Sequence, residues 1–199
     1  AALSIWMGLD HAGWLGDTRE SVAFEKAGIF RTGKPALCGD LDPPAPLLEQ
    51  AAALNCPLLL RGRDFKVAIE ANAWSWQGLD RAGQPLTLAD LPLLDLPMEN
   101  AALALQAYAL LDLPWQAEVL VEALSGTRIV GRLDRRERRW KGKTLNLLLD
   151  VGHNPHAARF LAQRLVQRPV AGKRLAVFGL LGDKDLDGVI AELVAGIAH

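Results

Sequence analysis

The chain has 199 residues, half of them apolar, and a formal net charge of −1 at pH 7. This length is enough for one large domain or two small ones around an apolar core. The small charge gives no electrostatic reason to expect nucleic acid or an anionic membrane as a partner. Cys38 and Cys56 are too few for a disulfide framework, and no apolar run approaches the roughly 20 residues of a membrane span. We therefore expect a cytoplasmic protein that handles small molecules.

Strand and helix patterns alternate over the first third of the chain. Three short apolar runs predict buried strands, at residues 4–9, 34–38 and 57–60. A first helix is predicted at residues 17–28, because residues 17–20 match a capping box. A second is predicted at residues 47–54, after Asp42-Pro43 as N-cap and first-turn proline. This alternation predicts an α/β fold.

The middle of the chain has a different pattern. Polar and apolar residues alternate over residues 65–77, and the glycines that follow suit the turns of a small antiparallel sheet. Residues 100–111 and 115–124 then predict two apolar helices, the second ending at a glycine. The composition becomes basic after this glycine, so we place a domain boundary near Ile129.

Beyond this boundary the pattern predicts a second α/β domain. Residues 144–149 and 174–178 are apolar enough to form strands covered on both faces, and residues 155–167 and 187–197 predict helices that follow them. This βαβα order predicts a parallel sheet. Six basic residues lie within residues 135–143. They either contact phosphate or form the solvated tip of a hairpin.

Three motifs lie close together near the start of the chain. Asp10-His11 follows the first predicted strand, residues 15–18 read L-G-D-T, and residues 25–29 read E-K-A-G-I. This series resembles the signature of the folylpolyglutamate synthase/dihydrofolate synthase family, the folate branch of the Mur-ligase superfamily. Mur ligases for cell-wall peptides share the D-H element, whereas the E-K-A-G-I run is typical of the folate branch.

Further matches to this family follow in order along the chain. Asn100 opens an N-A-A helix start, Arg132 belongs to a G-R element, residues 150–155 read D-V-G-H-N-P, and residues 183–185 read D-K-D. The resemblance covers essentially the whole chain.

The resemblance implies both a fold and an activity. The implied fold is α/β: the C-terminal part of a P-loop-type Mur-ligase ATPase domain at residues 1–129, then part of a Rossmann-like domain at residues 130–199. The implied activity is an ATP-dependent ligation that adds L-glutamate to dihydropteroate, to reduced folates or to both through an acyl phosphate. Mg²⁺ is the implied metal, and we expect a monomer.

The phosphate-binding glycine loop of the family has no match in this sequence. The chain also starts at Ala1 without a methionine, and an apolar run begins almost at once at Leu3. We therefore expect that it is an internal piece of a longer enzyme and that it is inactive by itself.

Two residues are implied for the metal region. By the resemblance, His11 is a Mg²⁺ ligand; otherwise it is a histidine that satisfies a carbonyl at a strand end. Lys26 corresponds to the lysine that family members carry as a carbamate, which converts a cation into an oxygen anion suited to a metal. The alternative is an ordinary lysine near a helix C-terminus, where the helix dipole favours a cation.

Three residues are implied for ATP binding, each with a purely structural alternative. Asn100 is expected to contact the adenine, or else to be a helix N-cap. Arg132 is expected to contact the phosphates, or else to form a surface ion pair. Asp150 is expected to bind the ribose hydroxyls, or else to close a turn. His153 either orients the strand end or helps to shape the cleft for glutamate and nucleotide.

Two other functions stay open at this point. One is a Mur-type ligase whose acid substrate is not a folate. The other is a non-catalytic nucleotide-binding homologue that has kept the fold. The first differs from a folate ligase in its acceptor substrate, and the second differs in lacking turnover.

Overall fold

A computed structural model describes residues 2–4, 18–111 and 113–197. The chain forms two compact units, Ala1–Thr127 and Arg128–His199. Helices and strands alternate in both units, so the fold is α/β, as predicted. No helix within the described ranges is long and apolar enough to cross a membrane.

The first unit begins with a parallel sheet of three short strands. Their order is β1-β2-β3, and the strands are β1 (Ala2–Ser4), β2 (Ala36–Cys38) and β3 (Leu58–Leu60). Helix α1 (Arg19–Ala27) connects the first two strands, and α2 (Ala45–Ala53) connects the second and third. These connections confirm the β-α-β-α-β order that the apolar runs predict.

Side chains on β2 point alternately to the two faces of this sheet. Ala36 and Cys38 are fully buried against α1 and α2, together with Leu47 of α2. Leu37 lies on the opposite face and packs in a cluster with Leu103 of a third helix. The two-residue period of a strand explains this division.

A second, antiparallel sheet follows in the same unit. It consists of β4 (Lys66–Ile69), β5 (Ala73–Leu79) and β6 (Pro85–Pro92), in that order. This confirms the antiparallel sheet that the alternation over residues 65–77 predicts. The chain continues through helices α3 (Met98–Ala109) and α4 (Ala117–Gly126).

Helix α3 is buried along both of its apolar faces. Met98 and Leu105 pack on the antiparallel sheet against Trp74 and Trp76. Leu103 packs on the parallel sheet. A helix that is apolar on more than one face is expected to lie inside a domain, and α3 accordingly lies between the two sheets.

The second unit contains a hairpin and two helices. Strands β7 (Asp134–Trp140) and β8 (Lys143–Leu149) pair antiparallel, and the helices are α5 (Pro155–Val166) and α6 (Leu186–Ile197). Arg159 of α5 forms an ion pair with Glu192 of α6. One β-carbon added to Gly196 would lie 2.8 Å from the Cα of Ala162. From the first contact to the second, the chain advances from Arg159 to Ala162 on α5 and from Glu192 to Gly196 on α6. The two helices therefore run parallel and in close contact.

The hairpin differs from the predicted parallel sheet. Lys141 and Gly142 connect the strands with φ values of +48° and +75°, the left-handed values of a type I′ turn. Such a turn makes β7 the nearest partner of β8. Residues 174–178, predicted as a strand, form none, and within the described residues β8 pairs with β7 alone. The prediction that residues 144–149 are covered on both faces is therefore wrong here, since β8 is exposed.

The basic segment lies on this hairpin. Residues 135–143 are exposed along both strands and the turn. The prediction of a solvated hairpin is confirmed, and it accounts for the basic residues without a bound phosphate.

The starts of the first two helices, α1 and α2, differ from prediction. The capping box uses Thr18 and Ser21, one residue later than predicted: the Thr18 side chain accepts from the Ser21 N–H at 3.1 Å. Helix α2 has Pro44 as its N-cap, not Asp42. Asp42 instead lies in a turn in which its N–H donates to Asp40 at 3.0 Å. Predicted strand residues 5–9 lie outside the described residues.

Candidate functional site

A charged cluster lies at the carboxyl end of strand β2. Asp40 follows this strand, and its residue surface is only 7% exposed. Arg19, the first residue of α1, donates to the Asp40 carboxylate at 3.2 Å and to the Asp42 carbonyl at 2.7 Å. Arg61, just after β3, donates to the Gly39 carbonyl at 2.6 Å. Carboxyl ends of parallel strands are where α/β sheets place ligands, so this edge is a candidate site.

Lys26 lies in the last turn of α1 and is half-buried. Its charge acts on Cys38, the last residue of β2. Burial raises the pKa of the Cys38 thiol, while the Asp40 N–H and the positive charges of Lys26 and Arg61 act in the opposite direction. Lys26 is thus near enough to the carboxyl end of β2 for its charge to act on Cys38. His11, the other residue predicted for this region, lies outside the described residues.

Asn100 is exposed in the first turn of α3. Its backbone N–H donates to the Pro97 carbonyl at 3.0 Å. Pro97 is the N-cap of this helix. The alternative interpretation of Asn100 as an N-cap is therefore wrong, and its side chain lies at the surface of the helix start.

Two turns of the second unit are joined by hydrogen bonds. One contains Gly131 and Arg132, and the other begins at Asp150. The N–H of Val151 donates to the Gly131 carbonyl at 2.8 Å. The N–H of Leu133 donates to Asp150 Oδ2 at 2.9 Å. The structure thus brings together two residues, Arg132 and Asp150, that we predicted for ATP binding from separate motifs.

Asp150 also closes its own turn. Its Oδ1 accepts from the Gly152 N–H at 2.7 Å, which is the pattern of an Asx turn. The turn-closing role of Asp150 is confirmed. An ionised carboxylate offers about four acceptor positions, so these two bonds leave acceptor capacity for a ligand.

Arg132 does not form the surface ion pair given as its alternative role. Within the described residues it has no acidic partner. The ion pair of this turn joins Asp134 and Arg136 at 2.9 Å, and the hydrogen bond from Arg136 lowers the pKa of Asp134. Arg132 itself is half-buried.

His153 has a defined ring orientation. Its Nδ1 lies 3.1 Å from the Val151 carbonyl. A carbonyl oxygen only accepts, so Nδ1 carries the proton and donates in this bond. This bond fixes the orientation of the ring relative to the turn.

The remaining residues of this turn start α5. Asn154 is the N-cap and accepts from the Ala157 N–H at 2.9 Å, and Pro155 is the first helical residue. Asn154 and Pro155 thus serve as the N-cap and first-turn proline of α5.

The D-K-D segment lies beside this turn. Asp185 accepts from the Gly188 N–H at 2.9 Å at the start of α6. A β-carbon added to Gly188 would lie 2.8 Å from Cγ of Pro155. Helices α5 and α6 therefore begin next to each other, and both starts are close to the turn that carries His153.

The predicted site residues thus form separate groups. Arg132, Asp150 and His153 lie in adjoining turns of the second unit, whereas Lys26 and Asn100 lie on different elements of the first. Sequence reasoning missed Arg19 and Asp40. An acidic residue two positions after a predicted strand is the signal available for Asp40. No three His, Cys, Asp or Glu side chains converge on a metal position within residues 2–4, 18–111 and 113–197.

Comparison with known proteins agrees with these motifs. Residues 131–199 match the family described as Mur ligase, glutamate ligase domain. A dihydrofolate synthase/folylpolyglutamate synthase of Haemophilus influenzae is 38% identical over 93% of this chain and 44% of its own length. Residues 131–199 belong to this Mur ligase domain family.

Solved structures of this Mur ligase family resemble the chain as well. The Escherichia coli FolC protein in complex with DHPP and ADP superposes with a TM-score of 0.82 and 34% identity, over 99% of this chain and 46% of that one. A bifunctional folylpolyglutamate synthase/dihydrofolate synthase with Mn, AMPPNP and L-glutamate bound gives a TM-score of 0.76 and 40% identity, over 94% and 43%. The chain spans less than half of the length of these relatives.

Proposed function

We propose that the protein is an ATP-dependent amide ligase that adds L-glutamate to dihydropteroate, to folate (poly)glutamates, or to both. ATP transfers its γ-phosphoryl group to a carboxylate of the acceptor and leaves as ADP. The glutamate amine then attacks the acyl carbon, phosphate departs, and the amine loses a proton as the amide forms. The support is similarity along nearly the whole chain to enzymes named for these two activities.

The observation that carries the proposal is the pair of joined turns in the second unit. Arg132, Asp150 and His153 match the family motifs at three separate positions, and hydrogen bonds hold their turns together. Phosphoryl transfer depends mainly on positioned charge. A guanidinium, a carboxylate and an imidazole with a fixed tautomer supply the groups that nucleotide binding beside an amine nucleophile requires.

Each of the predicted binding residues has a proposed role. Arg132 binds the ATP phosphates, because a guanidinium donates two parallel hydrogen bonds to phosphate oxygens. Asp150 accepts from the ribose hydroxyls with the acceptor positions that its turn leaves open. Asn100, exposed at the start of α3, pairs its amide with the edge of the adenine. His153 helps to shape the cleft for glutamate and nucleotide.

Mg²⁺ is the proposed metal, held by His11 and by the oxygens of a carbamate on Lys26. It would neutralise charge on the transferred phosphoryl group. The described residues do not form a complete metal site by themselves. Lys26 fits a part of one, since it is half-buried and near the carboxyl end of a parallel strand.

The proposed domain organisation follows the family. Residues 1–129 form the end of the ATPase domain, and residues 130–199 form the start of the ligase domain. The division into compact units after Thr127 and the family match from residue 131 support this boundary. We propose that the protein acts as a monomer.

The deciding experiment measures glutamate-dependent ADP release by the full-length protein with Mg²⁺ and ATP. Dihydropteroate and tetrahydrofolate are compared as acceptors. Release with either acceptor supports the proposal and shows which activity is present. No release with both acceptors contradicts it, and points to a Mur-type ligase for another acid or to a non-catalytic homologue.

Two variants link the activity to the described site. Arg132→Ala is expected to lower ADP release at least about tenfold, because the phosphates lose a charge-assisted partner. Arg135→Ala, an exposed arginine on β7, is the matched control and should keep the wild-type rate. Equal rates in the two variants would remove Arg132 from the site.

A further inference from the structure

The backbone on both sides of Arg132 has left-handed φ values. Gly131 has φ +72° and Leu133 has φ +45°. Glycine adopts this conformation readily, but leucine does so at a cost of about 1–3 kcal/mol. Leu133 is also 96% buried, with 4% of its surface exposed. A residue in this conformation persists only where its surroundings fix it, so something must hold this turn in place.

Asp150 supplies that restraint. Its Oδ2 accepts from the Leu133 N–H at 2.9 Å, while Oδ1 accepts from the Gly152 N–H at 2.7 Å. The Gly131 carbonyl accepts from the Val151 N–H at 2.8 Å. The residues immediately before and after Arg132 are therefore both bonded to the segment that begins at Asp150.

Close packing leaves this turn little freedom. A β-carbon on Gly131 would lie 2.8 Å from Cγ1 of Val151, and one on Gly152 would lie 2.9 Å from Oδ1 of Asp150. Asp134 adds a weaker bond, since it accepts from the Gly131 N–H at 3.3 Å. Both glycines thus allow the two turns to approach closely enough for the Asp150 bonds.

We infer that Asp150 is a positioning residue for Arg132. Its carboxylate holds the Leu133 N–H, and through it the backbone from which the guanidinium reaches the nucleotide phosphates. This role comes in addition to any contact of Asp150 with ribose, and it rests on the proposed phosphate-binding role of Arg132. The chemistry requires two acceptors, one for each N–H. Asparagine offers one acceptor and one donor, so it leaves one of the two N–H groups facing an NH₂ group.

The test is ATP binding to the full-length protein, measured by calorimetry in Asp150→Asn, Arg132→Ala and the double variant. Asp150→Asn is expected to weaken ATP binding about tenfold, because a displaced contact group loses much of its effect. In the Arg132→Ala background the same substitution should weaken ATP binding by a clearly smaller factor, because only the ribose contacts of Asp150 remain to be lost. Additive effects of the two substitutions would overturn the inference, since Asp150 would then act independently of Arg132.

Deoxynucleotides separate positioning from ribose recognition. In Asp150→Asn the affinity for 2′,3′-dideoxy-ATP, which has no ribose hydroxyl for Asp150 to bind, should still fall severalfold. An unchanged affinity for this nucleotide in the variant would mean that the whole loss comes from ribose contacts, and would overturn the positioning role. Asp187→Asn, an exposed carboxylate on α6, is the control and should bind every nucleotide as the wild type does.

A second variant guards against misfolding of Asp150→Asn. Gly131→Ala pushes the Arg132 turn away from Val151 without changing the carboxylate, so it should weaken the binding of ATP and of 2′,3′-dideoxy-ATP by about the same factor. Wild-type affinity in Gly131→Ala would contradict the inference. Because these measurements are of binding, they distinguish its failure from failure of the proposed ligase activity, which appears as absent ADP release in the wild type.

Discussion

The side-chain amide of Gln106 pairs with both backbone groups of Leu79. Its Nε2 donates to the Leu79 carbonyl at 2.6 Å, and its Oε1 accepts from the Leu79 N–H at 3.1 Å. Gln106 is fully buried on α3, while Leu79 ends strand β5. The amide thus acts as one more strand residue and links the helix to the antiparallel sheet.

We predict that Gln106→Met lowers the free energy of unfolding by about 1–3 kcal/mol, because it leaves the Leu79 N–H and carbonyl without their partners. Chemical denaturation of the full-length protein measures this change. Gln77→Met is the matched control, since Gln77 is an exposed residue of β5, the strand that ends at Leu79. It should change the free energy of unfolding by less than about 0.5 kcal/mol. Equal stability of the two variants would show that the Gln106 pairing contributes nothing.

Arg174 fixes the C-terminal ends of α5 and α6. Its guanidinium donates to the carbonyls of Leu165 and Arg168 at 2.7 and 2.6 Å, and to that of Gly196 at 3.0 Å. A cation at helix C-termini also interacts favourably with the helix dipoles.

Arg174→Ala should therefore destabilise the second unit by about 1–2 kcal/mol, after allowance for solvent screening of a half-exposed group. Arg174→Lys should lie between this variant and wild type, because it keeps the charge but loses the fork of donors. Lys173→Ala, at an exposed neighbour, is the control. Two measurements report the change: the thermal unfolding temperature, and the rate of amide hydrogen exchange in α5 and α6. Unaltered hydrogen exchange in Arg174→Ala would contradict the prediction.

The Cys38 thiol should make the first unit sensitive to alkaline pH. Burial raises the pKa of Cys38 in the folded state, whereas a thiol in an unfolded chain has a pKa of roughly 8.5. At a pH between these two pKa values, the folded state keeps the thiol proton that the unfolded chain has released. The contribution of Cys38 is thus complete below the unfolded pKa and is lost as the pH rises through the folded pKa.

Stability should fall above about pH 8.5 by at most roughly 1.4 kcal/mol per pH unit from this group. Cys38→Ala should show a smaller alkaline loss than wild type, although its stability at pH 7 is lower because a buried side chain is shortened. Denaturation at a series of pH values between 7 and 10 measures both effects. Parallel pH profiles for the two proteins would exclude Cys38 as the source of the slope.

The sequence predicts local structure well where a pattern repeats. The side chains of β2 alternate between the two faces of the sheet because of its two-residue period, and α3 is buried because its apolar residues cover more than one face. Helix starts are less predictable. Pro44 takes the N-cap of α2 although Asp42 is the better capping residue, because Asp42 instead lies in a turn closed by Asp40.

Long-range pairing is the part that the sequence does not determine alone. The turn at Lys141-Gly142 pairs β8 with its neighbour in the sequence, β7. A strand at residues 174–178 would instead need a partner strand that is distant in the sequence. For the candidate site, Arg132 and Asp150 are both predicted from motifs. Their connection depends on the left-handed φ of Leu133. Leucine rarely adopts this conformation, so the sequence does not indicate it.

Lys26 provides the sharpest functional prediction. It lies in the last turn of α1, where the helix dipole favours an ammonium over an anion. A carbamate there needs a bound cation to offset this preference. If Lys26 acts as a carbamate, Lys26→Ala should lower glutamate-dependent ADP release roughly 100-fold or more, and millimolar acetate should restore part of it by supplying a carboxylate. Lys34→Ala, at an exposed lysine, is the control, and full activity in Lys26→Arg would show that a cation suffices.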